Sequence, residues 1–155
     1  MKKTLIVFLL LLLTGSLSAK GKDIGIGLLF GNPTSLVVKY KIEDYHYINM
    51  GIGFEPFSNT GLVLHADYLH QDIELFPNVE YFNFYYGFGV RFSDETNGLG
   101  VGARGVFGTY LKHVTLPLEI YMEAAPVFRL FPNTDLQLDW GVGFHYFFDI
   151  SNFGR

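Results

Sequence analysis

The chain contains no cysteine. That removes both a lipid-modified N-terminus and a disulfide framework from consideration. Charge is also sparse, at 17% of the 155 residues, and Lys plus Arg number 11 against 15 Asp plus Glu. With a formal charge of −4 and no basic stripe, nucleic acid is set aside as a partner. No stretch after the N-terminal leader shows a convincing 3.6-residue apolar period, which argues against amphipathic helices. What the chain has in quantity is apolar and aromatic residues, 49% and 17%, together with 18 glycines.

The first residues form a leader. Lys2 and Lys3 give a basic start, Leu5 to Leu13 is an unbroken apolar run, and Ser16-Leu17-Ser18-Ala19 supplies small residues for cleavage. The run is too short for a membrane anchor, which needs about 20 apolar residues. Residues 1–19 are thus expected to be a secretory signal peptide and residues 20–155 a single barrel domain. Removing 19 of the 155 residues leaves 136, and losing Lys2 and Lys3 takes the formal charge from −4 to −6.

From there the chain alternates with a period of two. The clearest stretch is Leu136 to Phe148, where Leu136, Leu138, Trp140, Val142, Phe144, Tyr146 and Phe148 alternate with Gln137, Asp139, Gly141, Gly143, His145 and Phe147. The same pattern marks strands over Asp23 to Phe30, Thr34 to Ile42, Tyr45 to Glu55, Gly61 to His70, Val79 to Phe92, Gly98 to Leu111 and Thr115 to Ala125. Pro, Gly and Asn clusters separate them. Eight strands joined mostly by short links close into an up-and-down antiparallel barrel. The expected fold is all-β, an eight-stranded transmembrane barrel.

The charges decide between protein core and lipid. Lys39, Lys41, Glu55, Asp67, Arg91, Arg104, Glu119, Glu123 and Asp139 all share the parity of the strand glycines. The other parity is apolar, with Glu80 near a strand end as the exception. A charge facing lipid at mid-bilayer costs about 2–4 kcal/mol, so this segregation fits a transmembrane barrel with a polar, side-chain-filled lumen. A soluble carrier barrel would show the reverse. Within that lumen Lys39, Arg91 and Arg104 are expected to pair with Glu55, Asp67, Glu119, Glu123 and Asp139, because charges withdrawn from water need partners. The Gly-x-Gly pairs at 25/27, 51/53, 87/89, 100/102 and 141/143 would make room for them. The many Tyr and Phe residues are expected to form girdles at the two interfaces.

Several segments resemble a known family: Gly31-Asn32-Pro33-Thr34 followed by Lys39; Leu64-His65-Ala66-Asp67-Tyr68-Leu69; Tyr85-Tyr86-Gly87-Phe88-Gly89; Leu99-Gly100-Val101-Gly102-Ala103-Arg104; and Pro117 to Pro126. In these the chain resembles the OmpA-like transmembrane barrels, and more narrowly a group of small spirochaetal outer-membrane barrels. The resemblance implies an integral outer-membrane protein, inserted by the barrel-assembly machinery and surrounded by outer-membrane lipids, and the chain is expected to be a monomer. It brings no catalytic residues, cofactor or metal, and, without the peptidoglycan-binding domain of larger OmpA proteins, no tether to the cell wall is expected.

Other chemistry has candidate residues. His65, Asp67 and His145 could serve a lipid A deacylase or acyltransferase, since a histidine and a carboxylate two apart on a strand share a face. No serine stands beside His145, however, and the His-x-Ser pattern of such deacylases is absent. Gly100-x-Gly102-x-x-Gly105 matches a dinucleotide fingerprint by letter, but no helix or βαβ unit accompanies it. A metal at His65 and Asp67 would lack further ligands. His46 and His70 read as interfacial residues near strand ends. With the N-terminus in the periplasm, the loops at Gly31 to Thr34, Pro56 to Thr60, Ser93 to Asn97 and Val127 to Asp135 would face outward. There Arg129 and Phe131 are the candidates for contact with a surface ligand or with lipid headgroups. The expected role is structural or one of surface interaction, with a lipid-modifying enzyme and a soluble periplasmic lipid carrier as alternatives.

Overall fold

The computed structural model describes residues 24–57, 61–73, 82–96, 98–113 and 115–148. The leader at 1–19, Glu80, the link carrying Pro77 and Asn78, and the tail from Asp149 lie outside the described residues. Eight strands follow in order: β1 (Ile24–Asn32), β2 (Thr34–Glu43), β3 (His46–Phe54), β4 (Leu62–Ile73), β5 (Phe82–Glu95), β6 (Gly98–Lys112), β7 (Leu118–Phe131) and β8 (Asp135–Phe148). Each pairs antiparallel with its sequence neighbours, and β1 pairs with β8 from Ile24↔Phe148 to Asn32↔Trp140, so the sheet closes into a barrel. Among the described residues there is no helix.

The period of two explains the wall. Along β8, Trp140, Val142, Phe144 and Tyr146 are exposed while Asp139, Gly141, Gly143 and His145 are buried, and β7 behaves likewise from Glu119 to Val127. Phe88 and Leu136 expose 69% and 70% of their surface, whereas Arg104 and Asp139 expose 2% each. This inverts a soluble barrel, which would place its charged side chains outside. The closed ring also leaves β1 and β8 without free edges along their shared ladder, where an open sheet would present unpaired N–H and C=O groups.

The strands differ from expectation mainly at one end. β7 continues past Ala125 to Phe131, so the outer loop expected at Val127 to Asp135 shrinks to Pro132, Asn133 and Thr134. Pro126 suggests a strand end because it has no N–H to donate. In the barrel it still pairs with Leu138 of β8, while the β6–β7 ladder skips from Arg104↔Val127 to Phe107↔Ala124 and so asks nothing of the missing donor. In the same way β5 runs on to Glu95 and β6 starts at Gly98, absorbing most of the loop expected at Ser93 to Asn97. At the opposite end β7 begins at Leu118, not Thr115. Register shifts fall at Lys41/Glu43, Gln71/Ile73 and Val101/Gly102, all close to a rim, where bulges commonly terminate or re-aim strands. The last one makes Leu130 the extra residue on β7, and both Leu130 and Phe131 consequently point outward.

Candidate functional site: a luminal network of ion pairs

The inward positions of β2 and of β4 to β8 converge on the axis, and their charged side chains meet there in tiers. Nearest the end that holds Ile24 and Phe148, Lys39 Nζ donates to Glu119 Oε1 at 2.5 Å. Gln71 Nε2 donates to the second oxygen of Glu119 at 3.4 Å, and His145 Nδ1 lies 3.4 Å from the first. The Lys39 ammonium also sits over the Tyr47 ring, 4.8 Å from its centroid, so an aromatic face shares the charge.

The middle tier is built on Arg104. Its Nη1 donates to Asp139 Oδ2 and its Nη2 to Glu123 Oε1, each at 2.5 Å, while Nε lies 3.3 Å from Asp67 Oδ2. One planar fork thus serves three carboxylates on three strands, a use for which a lysine point charge is unsuited. The side chains of Arg104 and Asp67 have no solvent-accessible surface. Tyr85 adds a hydroxyl donor to Glu123 at 3.1 Å.

Above it, Asp139 is shared with Arg91, whose Nε is 3.3 Å away; Arg91 also pairs with Glu55 and donates to Gln137 Oε1 at 3.3 Å. At the rim, Arg129 Nη1 bridges both oxygens of Glu95 at 2.8 and 2.9 Å, and its Nη2 donates to Asp135 at 3.0 Å.

The expected partners therefore meet: Lys39, Arg91 and Arg104 pair with Glu55, Asp67, Glu119, Glu123 and Asp139. Two residues depart from expectation. Lys41 stands at the rim with 35% of its side chain exposed and donates to Asp44 in the β2–β3 turn at 2.8 Å. That hydrogen bond holds the Asp44 carboxyl below the usual carboxylate range. Arg129 is not a loose surface contact: its side chain is 16% exposed and tied to β5 and β8. Its partner Glu95 keeps the inward parity of Arg91 and Ser93, a signal that extending the alternation by three residues reveals. Phe131 is exposed at the same rim.

The tyrosines divide differently from a pure girdle. Tyr47, Tyr85, Tyr110 and Tyr121 are buried in the lumen. Tyr121 stacks on His145 with centroids 4.5 Å apart and an interplanar angle of 12°. At several glycines it is these rings that need the room, while at others, such as Gly27, Gly53 and Gly87, a Cβ would first meet a carbonyl oxygen of the neighbouring strand. A Cβ on Gly51 would strike the His65 ring, one on Gly108 the Tyr85 ring, and one on Gly143 the Tyr121 ring. In Gly108→Leu the added atoms have to displace Tyr85 and its bond to Glu123. A loss of about 1–3 kcal/mol is expected, the usual range for overpacking, measurable as a lower denaturant midpoint of the folded barrel. Gly105 is the control, because a Cβ there would meet Pro126 and Phe107 only at ordinary contact distance: Gly105→Ala should leave the midpoint nearly unchanged.

His65 and Asp67 share a face as expected, with Nε2 and Oδ2 4.0 Å apart, but Asp67 is engaged by Arg104 and His145 lies in the Glu119 tier. The structure does not bring the three into one constellation. Gly100, Gly102 and Gly105 belong to the antiparallel strand β6.

Comparison with protein-family models, with curated proteins and with solved structures returns no match. The geometry alone therefore carries the functional reading.

Proposed function

We propose that this chain is a small integral outer-membrane barrel of OmpA-like type whose lumen is plugged by its own side chains, with a structural or surface-interaction role in the envelope. The observation that carries the reading is the inverted polarity of the wall: Arg104, Asp67, Glu123 and Asp139 are buried around the axis, while Phe88, Phe107, Met122 and Val142 are exposed outside. Burying charge in the middle and exposing phenyl rings would cost a water-soluble protein at both surfaces. In a bilayer the same arrangement satisfies the apolar exterior, and every strand in the ring has partners for its backbone groups.

The tiers support a plug. Eight strands enclose an interior that side chains can fill, whereas water-filled porins use about twice as many strands. A structural role also accords with the placement of His145 beside Glu119, apart from the His65–Asp67 pair that Arg104 engages. In this reading the short connections at the end holding Pro33, Thr96 and Pro132 face the cell exterior, and Phe128, Leu130 and Phe131 sit at the headgroup level beside them.

Heat-modifiable migration tests the proposal. In the membrane fraction, the unboiled protein should run as a compact, detergent-resistant band that shifts only on boiling, and carbonate washing should not release it. A protein that extracts without detergent and shows one mobility before and after boiling would instead be a periplasmic carrier.

A further inference from the structure

One group of polar side chains lies outside the lumen. Across four strands, at the end holding Tyr45, the register aligns Glu43↔His46, His46↔His70 and His70↔Tyr86. His46 and His70 are direct cross-strand partners on the outer wall, with ring centroids 4.8 Å apart and planes tilted by 51°. Both are half-buried, so solvent reaches them. Tyr68 stacks against His46, and its hydroxyl is 2.9 Å from His46 Nδ1. Tyr45, at the turn, holds a left-handed φ of 68° and places its ring 6.5 Å from that of His70.

We propose that His46 and His70 form a two-imidazole binding site for a borderline divalent transition-metal ion, Cu(II) above Ni(II) and Zn(II). Imidazole nitrogens bind such ions at about 2.0–2.1 Å, so two rings sharing one ion at neighbouring coordination positions have centroids about 4.5–5 Å apart. The observed pair already stands at that separation. The Tyr68 hydroxyl occupies Nδ1 of His46 and leaves Nε2 for the ion, the arrangement by which an outer partner fixes the tautomer and orientation of a ligating histidine.

The remaining coordination positions are left to water. Among the described residues no three His, Cys, Asp or Glu side chains converge, so the ligands these residues supply are the two imidazoles. Glu43, exposed and paired in register with His46, is a carboxylate that could approach from the solvent side. The order of metals follows the general ranking of divalent ions at nitrogen sites, which peaks at Cu(II). The other described histidines are placed differently. His65 and His145 are buried in the lumen, and Nδ1 of His113 accepts from the backbone N–H groups of Thr115 and Leu116. The site depends only on the β3–β4 register, so it does not rest on the wall facing lipid.

The untagged full chain, folded in detergent micelles, is titrated with Cu(II) and followed by calorimetry and electron paramagnetic resonance. One ion per chain is expected, with splitting from two nitrogen ligands. His46→Ala and His70→Ala should each weaken binding at least tenfold and lose that splitting, His113→Ala should match the wild type, and Tyr68→Phe should weaken binding a few-fold while keeping both nitrogens. A free N-terminal amine is common to all these chains, and the His46→Ala/His70→Ala double variant measures its contribution. Wild-type Cu(II) affinity in both single variants, with their sheet circular dichroism intact, would overturn the proposal, as would the absence of stoichiometric binding to the wild type.

Discussion

Arg104→Ala is expected to destabilise the folded barrel by about 3–5 kcal/mol, the range seen when one member of a buried ion cluster is removed. The size follows from what is left behind. Asp67, Glu123 and Asp139 all direct an oxygen at the guanidinium, and none of the three has water to turn to when it is gone. Asp139 would retain Arg91 at 3.3 Å, and Glu123 would retain the Tyr85 hydroxyl at 3.1 Å, so the loss is borne most heavily by Asp67. Arg104→Lys keeps the charge but cannot present three N–H edges to three strands, and an intermediate loss is expected. Neutralising Arg104 together with its three carboxylates, Arg104→Met with Asp67→Asn, Glu123→Gln and Asp139→Asn, should recover part of the deficit, with Arg91 keeping Glu55 but losing the charge of Asp139. Equilibrium unfolding in detergent, followed by the fluorescence of Trp140, the single tryptophan, gives the numbers directly. A loss below about 1 kcal/mol for Arg104→Ala, a value typical of exposed pairs, would show that water reaches the cluster in solution.

A charge placed on the outside of the wall should be almost as damaging, but only in a bilayer and only at the right height. Phe88 lies midway along β5 and is 69% exposed; Leu136 is 70% exposed but one residue from the start of β8. Phe88→Arg is expected to cost about 2–4 kcal/mol in lipid vesicles, and Leu136→Arg about 0–1 kcal/mol. Exposure is nearly the same at the two positions, so the difference isolates depth. If both substitutions were neutral in vesicles, the outer wall would not be in hydrocarbon and the proposed location would fail.

How much of this is legible in residue order depends on which physical rule is acting. The number of strands, their antiparallel closure and the inward placement of Arg91, Arg104 and Glu123 all follow from alternation, because a sheet has only two faces and a one-residue slip would reverse every side chain. Strand ends follow a weaker rule. Pro126 has the chemistry of a terminator, yet its missing donor falls where the β6–β7 ladder already has a gap. Glu95 reads as loop because Asp94, Glu95 and Thr96 are all polar, although Ser93 and Glu95 extend the inward parity. The same run of polar residues hides the partner of Arg129.

Contact partners are less accessible still. Alternation says that Lys39 points inward; it does not say at what height. Only the register between strands far apart in sequence sets Lys39 opposite Glu119 and leaves Lys41, two residues on, at the rim beside Asp44. Likewise, the outward parity of His46 and His70 is plain from their neighbours, but their adjacency comes from the β3–β4 register, and alternation fixes the face of each residue without fixing its partner across the ladder.

The seam between β1 and β8 imposes an order of events on assembly. Ile24 cannot acquire its partner Phe148 until every intervening strand has been made and delivered, so the earliest stretch of the sheet waits longest for its neighbour. Until then each intermediate carries two unsatisfied borders. Closure therefore brings together contacts at the greatest sequence separation among the described strands, the kind that makes folding slow.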